Sequence, residues 1–162
     1  MPKAKRQYTP EERDQMAHVA YGENAGEDHD TVKMTIASIK NRVESGRAKE
    51  FGKDIPEVAK KGYAAVSKNS PLYQEATSGK FKNAGSKSKW GEIRKAVDLV
   101  VDDPESSKAQ FYFKPEEEEA LRKPGKNGKP KFDFKQVKPA GRVGKYNTYF
   151  YEGGIHESDD EK

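Results

Sequence analysis

Val32, Ile36, Ile39 and Val43 recur at i, i+4, i+7 and i+11. That spacing lines one face of an α-helix and would scatter over both faces of a strand. In a chain of which only 32% of residues are hydrophobic and 36% are charged, few such stripes exist, so this one is expected to be the main core helix. Asp30 is read as its cap and Ser45-Gly46 as its end. At 162 residues the chain fits one domain able to bury about 70% of its unfolded surface. The polar composition confines the expected ordered body to residues 8–152, between a basic flexible start (1–7) and an acidic disordered tail (153–162).

The other helices are marked by capping chemistry. Thr9-Pro10-Glu11-Glu12 supplies an N-cap, a proline at the first helical position and acids in the first turn, which predicts a helix over about 10–23. Asp54-Ile55-Pro56 and Ser70-Pro71 repeat the signature and predict short helices near 56–61 and 71–79, joined by an irregular segment containing Tyr63. Ser88 is read as the start of a helix carrying Trp90, Ile93, Val97 and Val100, which Asp102-Asp103-Pro104 ends. From Ala109 the pattern turns aromatic and short. Phe111-Tyr112-Phe113 and Arg142 to Tyr151 read as strands pairing in an antiparallel ribbon. Between them Lys114 to Lys131 reads as an exposed excursion with a short helix at its acidic start. The expected fold class is α+β, a mostly helical body with a small antiparallel β-ribbon.

Absent cysteines exclude disulfides, thiolate chemistry and Cys-based zinc sites. His18, His29 and His156 share no ligand spacing, so no metal and no cofactor is expected. Nothing approaches the roughly 18 apolar residues of a membrane span. The start, Met1 to Gln7, leads into Tyr-Thr-Pro-Glu-Glu rather than an apolar run, so no signal peptide is read. A net charge of +4 arises from 31 basic and 27 acidic residues. That mild excess is far from a nucleic-acid-binding extreme; it suits an anionic polymer, nucleic acid or bacterial cell wall, without choosing between them, and nucleic acid is the less expected partner.

The candidate chemistry sits where the first helix runs out into glycine, at Tyr21-Gly22-Glu23-Asn24-Ala25-Gly26-Glu27. A carboxylate on a rigid corner between two amphipathic helices can be partly buried, which keeps it protonated near neutral pH as glycoside cleavage requires; read from the residues alone, Glu23 can equally be a solvated charge that caps a helix end. Glu27 is either a second carboxylate or a group that caps the next helix or binds its backbone amides. Tyr63, Tyr112, Tyr146, Tyr149 and Tyr151 are candidate platforms for the C–H faces of sugars, with Asn147 and Thr148 as polar partners. Strand alternation turns only half of such residues to one face.

Four segments in order resemble the SleB/CwlJ-like cell wall hydrolases, the spore-cortex-lytic family. Tyr21, Glu23, Gly26 and Glu27 fill its opening Tyr-x-Glu-x-x-Gly-Glu, and Asn41-Arg42-Val43 ends the helix that follows. Gly62-Tyr63-Ala64, Phe111 to Pro115 and Asn147 to Tyr151 fall on its later segments. Gly62 stands in place of a glutamine, Lys114 of an asparagine and Thr148 of a histidine. The resemblance implies a lysozyme-like fold and cleavage of the peptidoglycan glycan strand, by a lytic transglycosylase or muramidase of which Glu23 is the general acid and base. A phage lysin acting as a monomer, made in the host cytoplasm and working on the wall or carried in a virion, is the expectation that follows. The alternatives are a non-catalytic glycan-binding or virion structural module, or a cell wall amidase.

Overall fold

The computed structural model describes residues 6–103 and 105–151. The expected basic start lies outside these except for Arg6 and Gln7, and the acidic tail lies wholly outside them. The first helix, α1 (Pro10–Asn24), opens on the anticipated capping box: the Thr9 hydroxyl accepts the Glu12 amide at 3.1 Å while Glu12 accepts the Thr9 amide at 3.0 Å. The second helix, α2 (His29–Glu44), is capped by Asp28 rather than Asp30; its side chain accepts the Thr31 amide at 2.8 Å. Three short helices follow, α3 (Ala48–Phe51), α4 (Ile55–Gly62) and α5 (Ala64–Ser67). The segment after Tyr63, expected to be irregular, is therefore one helical turn. Next come α6 (Pro71–Ser78) and the long α7 (Ala84–Asp102).

Helix α7 begins four residues before Ser88. Asn83 caps it by accepting the Ser86 amide at 2.9 Å, and the polar, glycine-containing first turn Ala84 to Lys87 hid this start from the hydrophobic pattern.

The core forms where α2, α1 and α7 pack on one another, with α4 and α6 closing its sides. Val32, Ile36 and Ile39 of α2 meet Met16, Val19 and Ala20 of α1 and Ile93, Val97 and Val101 of α7, all essentially inaccessible. Outside this core, Arg13 bridges Asp98 and Asp102 while Arg94 bridges Asp14 and Asp98. The carboxylates of this staple are half exposed or more, so each pair contributes only about 0.2–1 kcal/mol. Among the described residues no helix is long and apolar enough to cross a membrane.

The aromatic segments form a three-stranded antiparallel sheet in which β3 (Tyr146–Phe150) lies between β1 (Phe111–Phe113) and β2 (Lys138–Val143). The acidic run forms α8 (Pro115–Arg122), and a single 3-10 turn covers Phe134–Gln136. The α+β arrangement expected from the sequence is thus the one observed, with one strand more than the simplest ribbon. Strand β2 starts earlier than Arg142. Pro139 and Gly141 disguise it, and both are tolerated because β2 is an edge strand whose register shifts between them.

One glycine is needed for the path of the chain into α4. Gly52 sits at φ 116°, and a Cβ there would lie 2.7 Å from the Val58 amide nitrogen. Gly52→Ala is expected to cost about 1–3 kcal/mol from the backbone conformation alone, measurable as a lowered urea midpoint; an unchanged midpoint would show that the turn can refold around a side chain.

Candidate functional site

Glu23 occupies the last turn of α1, and the corner beyond it is fixed by side-chain chemistry. Asn24 is buried and its side-chain oxygen, Oδ1, accepts the Thr35 hydroxyl of α2. The Glu27 amide closes the turn by donating to the Asn24 carbonyl at 2.9 Å, and Asp28 then starts α2. Two adjoining helices are thereby locked at a defined angle with Glu23 on the inner side. Gly22 lets a third element approach: a Cβ at that position would lie 2.9 Å from Ala65 Cβ and 3.1 Å from Tyr73 Cβ. Its role beside Glu23 is steric rather than conformational.

The half-buried Glu23 carboxyl is held above the ordinary carboxylate range. Loss of hydration is the largest cause, and the neighbouring Glu27 charge adds to it. Backbone amides of Ala65 and Ala64, at the start of α5, and the Arg42 guanidinium oppose it. The net direction matches that expected of a proton donor. Glu27 does not cap α2, a task Asp28 performs. It accepts the Tyr146 hydroxyl at 3.1 Å, while Lys89 of α7 donates to its backbone carbonyl at 3.0 Å. Of the two possibilities the sequence left for Glu27, helix capping is therefore absent, and the carboxylate faces the sheet.

The sheet brings the distant half of the chain to this corner. Tyr112 of β1 is paired with Thr148 of β3, so Tyr112, Tyr146 and Thr148 share one sheet face. Tyr112 and Tyr146 meet edge to face with centroids 5.4 Å apart. Burial holds the Tyr112 hydroxyl proton tightly, reinforced by Tyr63 and Glu23. The Tyr146 hydroxyl is pushed up to about 12 by burial and by its bond to Glu27. Tyr63 is buried beneath, its hydroxyl 2.5 Å from that of Ser38. Glu23, Glu27, Tyr63, Tyr112 and Tyr146 thus converge from α1, the α1–α2 turn, the α4–α5 junction and two strands.

The remaining expected binding residues do not join them. Thr148 is 1% exposed and donates to the Gly141 carbonyl at 2.9 Å, closing the sheet at the bulge. Asn147 and Tyr149 point to the opposite face. There the Tyr149 hydroxyl donates to Glu118 of α8 at 2.6 Å and Asn147 donates to the same carboxylate at 3.4 Å. Around them Phe113, Phe132 and Phe134 form an aromatic cluster. Strand alternation, expected to turn only half of the strand residues to one face, sends Asn147 and Tyr149 away from Glu23, while Thr148 shares the face of Tyr112 and Tyr146 but is internal.

Sequence reasoning missed Arg42 as part of the site. It also missed Thr35, which donates its hydroxyl to Asn24 and opposes the upward shift of the Tyr112 hydroxyl. Several surface clefts, one of them lined by α2, Asp103, Ser106, Ser107 and the β2–β3 turn, do not include Glu23. No group of three or more His, Cys, Asp or Glu residues is placed to hold a metal among the described residues.

The shifted carboxyl carries a prediction about stability. In the unfolded chain Glu23 titrates in the ordinary range, whereas in the folded protein it keeps its proton to higher pH. Between those two values the folded state binds more protons, so rising pH through that window destabilises the fold, and the loss persists above it. Glu23→Gln should therefore gain melting temperature relative to wild type on going from about pH 4 to about pH 7. A difference in melting temperature that stays constant over this range would refute the shift. Comparison with family models, curated protein sequences and solved structures returned no match to this chain.

Proposed function

We propose that this protein cleaves the glycan strand of bacterial peptidoglycan, with Glu23 as general acid and then general base, in a lysozyme-like α+β body. The carrying observation is a half-buried carboxyl held protonated above its usual range at a helix corner, facing a second carboxylate and a wall of tyrosines. A proton donor must be rigidly placed and still protonated near neutral pH, and this corner supplies both. The Glu23 carboxylic acid protonates the glycosidic oxygen as the bond from C1 breaks. The resulting carboxylate takes the proton either of the muramic acid 6-hydroxyl, whose oxygen closes on C1 as a 1,6-anhydro end, or of a water that leaves a reducing end. The first route needs no second carboxylate. The second gives Glu27 a role, as partner to the developing positive charge or to the water.

One observation favours a non-catalytic module that holds glycan without cutting it. The Ala64 and Ala65 amides stabilise the ionised form of Glu23, as they would for a purely structural carboxylate. Mass spectrometry of purified peptidoglycan treated with wild type and with Glu23→Gln separates the readings. Anhydro or reducing glycan ends that vanish in the variant support cleavage by Glu23. Intact glycan with severed peptides would identify an amidase instead, and no cleavage by wild type would favour the binding module.

A further inference from the structure

The charge of this chain is unevenly placed. Between Arg122 and Lys138, from the last turn of α8 to the start of β2, seven basic residues stand against Asp133 as the one acid. That segment carries more positive charge than the +4 of the whole chain, so the remainder is net negative. The glutamates Glu116 to Glu119 precede these cations in α8 instead of alternating with them. Of these acids, Glu117 accepts the Lys114 amide at the helix start, and Glu118 holds Tyr149, Asn147 and Arg122.

The middle of the segment is an ordered hairpin. Pro124 and Pro130 form an antiparallel bridge, the Gly125 amide donates to the Lys129 carbonyl at 2.7 Å, and the Gly128 amide donates to the Gly125 carbonyl at 3.0 Å. Asn127 Oδ1 accepts the Lys129 amide at 3.0 Å, and Gly128 takes the turn at φ 76°. Both stems are anchored: the Arg122 guanidinium lies 4.0 Å over the Phe134 ring, and Phe132 packs on Phe113 and Phe134 with centroids 5.2 and 4.7 Å apart. Lys123, Lys126, Lys129 and Lys131 are exposed, and none of them forms an ion pair among the described residues. The bridge register sets Lys123 opposite Lys131, a like-charge pair that is destabilising by itself. Repulsion held in a fixed hairpin is relieved when an anion binds, and no loop then remains to be ordered.

The residue types narrow the partner. Lysines are mobile point charges rather than the fixed forks of arginine, so they match an anion repeated along a flexible chain. No aromatic residue lies between Arg122 and Lys131, and Phe132 and Phe134 are taken up against Phe113 and Tyr149. The hairpin therefore offers no ring on which a nucleic-acid base could stack. We infer that the 123–131 hairpin is a docking surface for a base-free phosphodiester polymer, the chemistry of the polyol phosphates carried on some bacterial walls. Its anchoring rings lie on the sheet face turned away from Glu23, so it holds the protein on its target without forming the cleft. The inference stands independently of glycan cleavage.

The test is calorimetry of the full chain with poly(glycerol phosphate) at about 50 mM and about 200 mM salt, where binding should be saturable and weaken steeply as salt rises. Lys123→Gln, Lys126→Gln, Lys129→Gln and Lys131→Gln combined should weaken it about a hundredfold at the lower salt. The same change of net charge at exposed positions elsewhere, Lys80→Gln, Lys82→Gln, Lys87→Gln and Lys95→Gln, should stay within about twofold, since distant charges are screened. Lys126→Gln with Lys129→Gln, confined to the tip, should already lose about tenfold, which covers the case in which the fourfold variant unfolds the hairpin. An oligothymidylate with the same number of phosphates should bind no more tightly than poly(glycerol phosphate). Absence of saturable binding, or equal losses in the hairpin and control variants, overturns the inference. Tighter binding of the oligothymidylate overturns it in favour of a nucleic-acid surface. None of these results bears on the glycan ends seen by mass spectrometry, so the two readings fail separately.

Discussion

Glu23→Gln is expected to lower glycan cleavage by about a hundredfold to ten-thousandfold, the range attributable to a positioned proton donor. The substitution preserves shape and can still accept the Ala64 and Ala65 amides, so the corner should survive; only the transferable proton is lost. A general acid works in its protonated form. Because the folded environment holds the Glu23 proton above the ordinary carboxylate range, wild-type activity should extend to higher pH than an unperturbed glutamic acid would permit, then fall as pH rises through its titration. Tyr146→Phe should shift that limb modestly, since it removes the hydroxyl bonded to Glu27 and leaves Glu27 a less compensated neighbour, pushing the Glu23 limb upward. Cleavage by Glu23→Gln within twofold of wild type, measured as soluble glycan released from purified peptidoglycan, would remove Glu23 from the chemistry.

The helical half of the molecule was legible because its signals are local. Thr9-Pro10 and Ser70-Pro71 each declare a helix start within a few residues, and the Val32 to Val43 stripe needs no knowledge of what it packs against. The errors have the same local origin. Asp28 and Asp30 are equally capable caps, and the choice between them is made by the Asn24 to Glu27 turn that hands the chain over. Glu23 could be singled out for its position at a helix end beside glycine. Which tyrosines join it could not, since that depends on the pairing of Tyr112 with Thr148, a register between residues far apart in the chain. Arg42 was invisible as a site residue for a related reason: Phe51, Tyr63 and Phe111 come from separate segments, and only tertiary packing assembles rings around one guanidinium. Gly62, read as a departure from a family pattern, has a steric reason in that same arginine.

Ile36→Ala and Val97→Ala should each destabilise the protein by about 2–4 kcal/mol, because each deletes methyl groups from a close-packed interior that collapses only partially around the gap. Both side chains are fully buried and belong to the same core, one on α2 and the other on α7. Leu99 on α7 is the internal control. It is 57% exposed, so Leu99→Ala should stay within about 0.5 kcal/mol of wild type. Urea titration should show lowered midpoints with unchanged slopes for the two core variants and no shift for the control. The core prediction also bears on the site. Helix α2 carries Thr35, Ser38 and Arg42 on the same element as Ile36, so a cavity at Ile36 that relaxes by moving α2 would loosen the wall opposite Glu23. Ile36→Ala should therefore lose activity at temperatures where it is still fully folded, whereas Val97→Ala, on a different helix, should lose activity only as it unfolds. Equal loss in both variants below their melting transitions would mean that the corner is held by α1 and α7 together rather than by α2.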